Sequence, residues 1–290
     1  MSDNPHASQT PWFPLYDHRL VALSGRDALA FAQAQTMNDV VALAEGQWHW
    51  NGWLTAKGRV ISLFAVIRID ADTVWLLVPD ADAEDLATRL RRFQFRSKLA
   101  IEVRDDLRVA GRLSASGLAS GNHWVGSADE GIELDLSGRM DAGMPGRSLR
   151  IAPGLHPGAN AALLARWRCM DLTYGLPRLD PSQSEQWTPQ QLSLERLNAF
   201  SVKKGCYPGQ EIVARTHFLG QAKRGLALVR GDAPLEPAMD LQLGEQVVGT
   251  VVSTCGDLGL AVLPLDLHAD SPGMAGASWR FEPVRDGLAR

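Results

Sequence analysis

Hydrophobic and polar positions along the first hundred residues fall into short blocks cut by turn residues. Residues 19–23 form an apolar strand-like run, and Ser24-Gly25-Arg26-Asp27 can open a helix over 28–35. Thr36-Met37-Asn38-Asp39 breaks that helix, and a short apolar run at 40–43 follows. A strand is then expected at 48–54, a turn at Ala56-Lys57-Gly58, and a nearly continuous apolar strand at 59–69. Asp70-Ala71-Asp72 turns the chain into another strand at 74–78, so the pattern predicts an antiparallel meander of three strands. Asp80 or Asp82 can cap the next helix, whose apolar residues Ala83, Leu86, Ala87, Leu90 and Phe93 share one side. Strands are expected at 99–103 and 107–113, and residues 1–14 read as a loose leader.

Residues 114–156 are rich in glycine and carry only short strand-like pieces, at 124–125 and 132–136. A helix is expected over 158–172, with Leu163, Trp167 and Met170 on one stripe. An irregular connector spans 179–189, and a short helix is expected at 192–200. After 220–223 the texture changes to short strands at 225–230, 245–253, 259–263 and 279–282, the pattern of a small β-barrel.

The composition of the 290 residues, 45% hydrophobic and 21% charged, is that of an ordinary globular protein with a sizeable core. A net charge of -4 gives no global attraction to nucleic acid or anionic membranes, although local basic patches remain open. Arg89, Arg91, Arg92, Arg96 and Lys98 form such a patch, either a phosphate contact or a solvated helix face. Three cysteines, with no Cys-x-x-Cys spacing, argue against a disulfide framework or a structural zinc site and for a reducing, cytoplasmic location. No apolar run approaches the ~20 residues of a membrane helix. The Rossmann, P-loop, zinc-protease and hydrolase-elbow motifs are missing, and no histidines show metal-ligand spacing. Trp48 and Trp50 share one strand face, lining either a flat-ring pocket or a core.

The stretch from Phe200 to Thr216 concentrates chemistry. Two of the chain's five lysines stand side by side ahead of Cys206, and Gly205 and Pro208-Gly209 bracket Cys206-Tyr207 as a sharp turn. Gln210 onward reads as the first turns of a helix or a strand. Ammonium groups and a helix N-terminus favour the thiolate, the nucleophilic form of cysteine. The other reading is an inert cysteine packed behind a turn.

Lys204-Gly-Cys-Tyr-Pro-Gly-Gln-Glu-Ile-Val-Ala-Arg215 resembles the KGCYxGQE signature of the YgfZ-type folate-binding proteins, relatives of the glycine cleavage T-protein, an aminomethyltransferase. Leu23-Ser-Gly-Arg-Asp-Ala28, Gln35-Thr-Met-Asn-Asp-Val40, Ala56-Lys-Gly-Arg59, Phe95-Arg-Ser-Lys98, Gly175-Leu-Pro177, Pro189-Gln190 and Gly249-Thr-Val-Val-Ser253 resemble further elements of that family. The resemblance covers roughly 15–285. It implies an α+β fold, a ring of three subdomains with a central folate channel: a loose leader at 1–14, two interleaved subdomains over 15–220 and a barrel over 221–290. It also implies a tetrahydrofolate-binding accessory factor for iron–sulfur enzymes, such as those that thiolate tRNA. By motif, Cys206 and Lys204 carry the chemistry. Trp167, Thr173, Tyr207, Gln210, Glu211, Arg215, Asn38 and Asp39 contact the folate, which is tetrahydrofolate or a one-carbon derivative. No metal is implied. Trp167 takes the place of a folate-associated tryptophan, or stays in the core stripe.

The chain departs from the T-protein at two carboxylates. Val60-Ile61-Ser62 stands where that family has an acidic pair, and Thr173 where it has a pterin-contacting glutamate. His18 replaces a second YgfZ-associated tryptophan. These departures disfavour the alternative, a folate-dependent aminomethyl transferase, and leave open whether the chain is an enzyme. The expected partners are a folate and iron–sulfur client proteins, with neither membrane contact nor direct nucleic-acid binding.

Overall fold

The computed structural model describes residues 10–139, 144–220 and 222–290. In chain order the first elements are β1 (Phe13–Pro14), β2 (Arg19–Ser24), α1 (Ala28–Gln35), β3 (Trp48–Leu54), β4 (Val60–Arg68), β5 (Thr73–Val78), α2 (Ala83–Arg91) and β6 (Ala100–Val103). The expected meander is present, and β2 to β6 make an antiparallel sheet of order β3-β4-β5-β2-β6. The run in β4 is apolar throughout because both faces of this sheet are covered. Leu63, Ala65 and Ile67 enter the central core, while Ile61, Phe64 and Val66 meet the layer built by α1 and α2. Asp82 caps α2 by accepting from the backbone N–H groups of Glu84 (2.9 Å) and Asp85 (3.2 Å).

The second sheet takes β7 (Leu107–Arg112), β8 (Val125–Ser127), β9 (Gly131–Asp135) and β10 (Ser148–Pro153), in the order β1-β7-β10-β9-β8. The leader expected to stay loose to residue 14 tightens earlier, because Phe13 pairs with Gly111 and is fully buried. Residues 1–9 and 140–143, and Gln221, lie outside the described residues.

Helix α3 (Ala161–Thr173) lies between the central core, which takes Trp167 and Met170, and a smaller cluster that joins Leu172 to Leu228, Leu258 and Leu260. Residues 192–200 form a 3₁₀ turn at Leu194–Leu197, not the expected helix; Ser193 and Asn198, both with positive φ, close it at either end. Helix α4 (Gln210–Phe218) follows the signature turn. The last sheet, β12-β13-β14-β11-β15, is built from β11 (Arg224–Gly231), β12 (Asp240–Leu243), β13 (Gln246–Cys255), β14 (Leu258–Pro264) and β15 (Trp279–Glu282). Residues 284–290 then leave this sheet and return to the body, where Leu288 is buried in the central core and its carbonyl accepts from Trp50 Nε1 at 2.8 Å.

Contrary to the expectation from cysteine spacing, two of the three cysteines are paired. Cys169 of α3 and Cys255 at the end of β13 are disulfide-bonded, with Cα atoms 5.3 Å apart. Their separation of 86 residues hid the pair, since only the packing of α3 on the barrel brings them together. Among the described residues no helix is long and apolar enough to cross a membrane.

Candidate functional site

Cys206 is the free cysteine, and it is exposed. The turn that presents it is held from several sides. Ser201 donates its N–H to Met37 O, and its hydroxyl accepts from the N–H groups of Lys203 and Lys204, both at 3.2 Å. Tyr207 donates its hydroxyl back to Ser201 O at 3.2 Å, and Gln210 Nε2 donates to Lys204 O at 3.1 Å. Gly209 has φ of 80°, and a Cβ there would lie 2.6 Å from Thr55 O, so only glycine lets α4 start against the β3–β4 turn.

Lys204 does not flank the sulfur. Its side chain is buried and points inward, and Nζ donates to the carbonyls of Gln33, Thr36 and Asn38 at 2.5, 2.5 and 3.0 Å. These are the orphan carbonyls at the end of α1 and in the turn after it. Lys204 therefore clamps the signature loop onto that turn, and its charge also sits 4.9 Å from the Tyr207 ring. Burial pulls its pKa down to about 8, with Asp39 opposing. Burial pushes the Tyr207 hydroxyl up to about 12, so it stays protonated and donating.

Asn38 fastens the same corner: Nδ2 donates to Trp50 O (2.9 Å) and Asn198 O (2.6 Å), and its own N–H reaches Asn51 Oδ1 (2.9 Å). Asp39 is half-buried and accepts from Gln33 Nε2 at 3.0 Å. His49 lies buried between Asn38 and Asn51, and burial, reinforced by the Lys204 charge, pulls it down to about 3. It is a neutral imidazole inside a hydrogen-bonded cluster.

A second feature lies inside the body. Trp167 is fully buried, meets Phe13 edge-to-face at 6.0 Å, and has the Arg147 guanidinium 4.7 Å from its ring. With Trp50, His18 and Asp171 it lines an inner cavity of about 10 Å³, room for roughly one water. His18 is also a wall of an outer cleft of about 400 Å³, whose lining includes Arg19, Arg108 and His156. Asp171 is held by Arg147 (2.5 Å) and Arg178 (2.8 Å), and Arg178 also binds Asp17 and Asp80. Burial would raise the Asp17 carboxyl, but His18, Arg178 and Arg168 together hold it well below the usual range.

This geometry stands beside a set of known relatives. The tRNA-modifying protein YgfZ of Cronobacter sakazakii is 30% identical over 261 residues, covering 82% of this chain and 78% of the relative. The chain belongs to the YgfZ family. The YgfZ proteins of Aliivibrio fischeri (28% identical; 89% of this chain, 86% of the relative) and Vibrio vulnificus (29%; 91% and 89%) match as fully. Residues 223–285 match the C-terminal β-barrel domain of CAF17. The crystal structure of glycine cleavage system aminomethyltransferase T from Bartonella henselae superposes with a TM-score of 0.66 at 14% identity, covering 91% of this chain and 83% of that one. The α+β fold of T-protein type with a terminal small barrel is thus established.

The YgfZ signature residues divide by place. Lys204, Tyr207, Gln210, Asn38 and Asp39 surround or brace the Cys206 turn, while Glu211 and Arg215 are exposed on α4. Trp167 is in the inner cavity, whose lining contains no residue of the signature loop. Thr173 donates to Cys169 O at 2.8 Å at the far end of α3 and is not among the cavity residues. The carboxylate facing the cavity is Asp171, two residues earlier. His49, Asn51, Arg147, Asp171 and Arg178 were not singled out from sequence. For His49 and Asn51 a signal existed: they alternate with Trp48 and Trp50 on a strand that is buried throughout.

Proposed function

We propose that this YgfZ-family protein is a tetrahydrofolate-binding accessory factor for iron–sulfur enzymes, tRNA-modifying ones among them, acting through the thiol of Cys206. The observation that carries the reading is a free, exposed sulfur on a turn braced through Ser201, Lys204, Tyr207 and Gln210. A lone cysteine lacks the ligand count a cluster takes, so the thiol serves transfer or transient linkage to a client. Among the described residues no group of three or more His, Cys, Asp or Glu is placed to hold a metal.

The inner cavity suits a folate ring in chemistry. Two indoles and His18 are among its walls; among the described residues Trp167 Nε1, and Nε and Nη2 of Arg147 beside the Trp167 ring, are buried donors without a partner. Its volume does not accommodate the ring as it stands, whereas the cleft behind His18 falls within the roughly 300–1,000 Å³ of small-molecule pockets. His18, Trp50 and Trp167 would hold the ring once the His18 wall opens, with Arg19 and Arg108 toward the anionic tail. The ring supplies one-carbon chemistry when bound. The aminomethyl-transferase reading lacks support, because Asp171 is committed to two arginines.

Titrating tetrahydrofolate against intrinsic tryptophan fluorescence tests the proposal. Saturable quenching is expected in the wild type, with affinity lowered about 2- to 10-fold in Trp167→Phe, the worth of one ring contact. No quenching, or equal affinity in the variant, speaks against a folate seated at Trp167.

A further inference from the structure

We propose that the loop at 92–98, between α2 and β6, is a docking surface for an unpaired RNA strand. Phe95 is 92% exposed and Phe93 45%, in a segment that reads Arg92-Phe93-Gln94-Phe95-Arg96-Ser97-Lys98. Isolated apolar side chains on a surface are ordinary, but two exposed rings in one short loop, flanked by cations, are a pattern that asks for a ligand. Arg92, Arg96 and Lys98 are exposed, and among the described residues their side chains have no hydrogen-bond or ion-pair partner. The nearby acids are engaged: Asp85 and Glu185 pair with Arg89, and Asp27 accepts from the Lys98 N–H at 2.6 Å and lies near Arg26.

The loop is rigid by construction. Gln94 Nε2 donates to the carbonyls of Ser97 and Leu99, and Asp27 N donates to Lys98 O. Arg91 donates twice to Ile101 O, which fastens the end of α2 to β6. The Phe95 ring is therefore held in water by its backbone, and binding would order little. Phe93 meets the Trp53 ring edge-to-face at 5.8 Å, and the Arg89 guanidinium lies 5.2 Å from that indole, so Phe93 links the loop to the aromatic side of β3. Trp53 bridges to Thr36, whose carbonyl receives the Lys204 ammonium. The loop and the Cys206 turn thus hang on one frame.

Exposed rings that stack bases, beside cations that meet phosphates, are how unpaired strands are held without sequence preference. A protein partner covering the rings would have to bury three cations or supply three acids, while a strand brings one phosphate per base. The overall charge of -4 removes long-range attraction but not this local one. The surface stands independently of the folate site; the choice of RNA over DNA rests on the proposed role beside tRNA-modifying enzymes.

A fluorescein-labelled, unstructured RNA decamer, titrated by anisotropy with the full chain, tests this. The wild type is expected to bind with a log affinity that falls against log salt with a slope of about -2, from three cation–phosphate contacts. Phe95→Ala should weaken binding about 5- to 100-fold with Tm and tetrahydrofolate quenching unchanged. Arg92→Ala/Arg96→Ala/Lys98→Ala should flatten the salt slope. Absent binding, or wild-type affinity in Phe95→Ala, overturns the surface, as does a protein partner lost by Phe95→Ala when no RNA binds. Equal affinity for a DNA decamer overturns the choice of RNA. Folate quenching that persists after such failures leaves the proposed function standing.

Discussion

On the proposed function, Cys206→Ala is expected to leave iron–sulfur enzyme activity unrestored in cells lacking the gene, where the wild type restores it. Stability should hardly change, because Cys206 is exposed and not disulfide-bonded. Surface changes of this kind stay within about 0.5 kcal/mol, which for a chain of this size moves Tm by roughly 1–2 °C. The turn keeps its form because Lys204, Tyr207, Gln210 and Gly209 hold it through atoms other than the sulfur. The measurement is paired: enzyme activity in complemented cells and Tm of the purified variant. Full complementation removes the thiol from the mechanism, while a collapse of Tm would show that the loss of activity reports on folding.

Arg178→Ala is the substitution expected to harm the fold most. Arg178 is 9% exposed and bonds Asp17 of the β1–β2 link, Asp80 after β5 and Asp171 of α3, at 2.9, 2.7 and 2.8 Å. It thereby joins both sheets of the body to the helix that carries the barrel. Removing one partner of a buried pair costs about 3–5 kcal/mol because the other charge is stranded, or roughly 6–20 °C in Tm. Arg147 and Arg168 still neutralise Asp171 and Asp17, so Asp80 is the stranded group. Burial already raises the Asp80 carboxyl and Arg178 opposes that rise. Without Arg178 its folded pKa climbs further above the unfolded value, so the folded variant binds the extra proton and gains stability as pH falls through that range. Asp17 has the reverse sign in the wild type: its depressed carboxyl stabilises above about pH 4 and that contribution is lost below. The Tm gap between wild type and variant should therefore narrow from pH 7 to pH 5. A gap that widens on acidification, or is absent at pH 7, would show that the network carries little.

What the sequence disclosed was local. The strands β3, β4 and β5 were legible because each is an apolar block between turn residues, and α1 because it has a start and a stop. The α2 cap was narrowed to Asp80 or Asp82, and the structure uses Asp82. Strand β10 was not, since Ser148–Pro153 is short and flanked by glycine-rich chain, and it becomes a strand only by pairing with β7 and β9. The short helix at 192–200 failed for the opposite reason: its apolar spacing is helical, yet left-handed residues at 193 and 198 stop it after one turn. The disulfide, the Arg178 network and the Lys204 clamp share one property. Apart from the Arg178–Asp171 bond, each joins residues tens of positions or more apart, and single-chain periodicity carries no record of such pairs. Adjacent lysines suggested two charges beside a sulfur; one of them turned inward, where it donates to three carbonyls in the last turn of α1 and the turn after it.

The most direct test of the thiol at the centre of this account is a titration of the native protein with Ellman's reagent, no reductant present, followed by peptide mapping. A sulfur free to attack the reagent's disulfide releases one thionitrobenzoate and keeps the other as a mixed disulfide. One equivalent per chain, mapped to Cys206, with Cys169 and Cys255 silent until reduction, is the result expected. A native protein that releases none, or whose label maps to Cys169 or Cys255, contradicts an exposed working thiol on the signature turn.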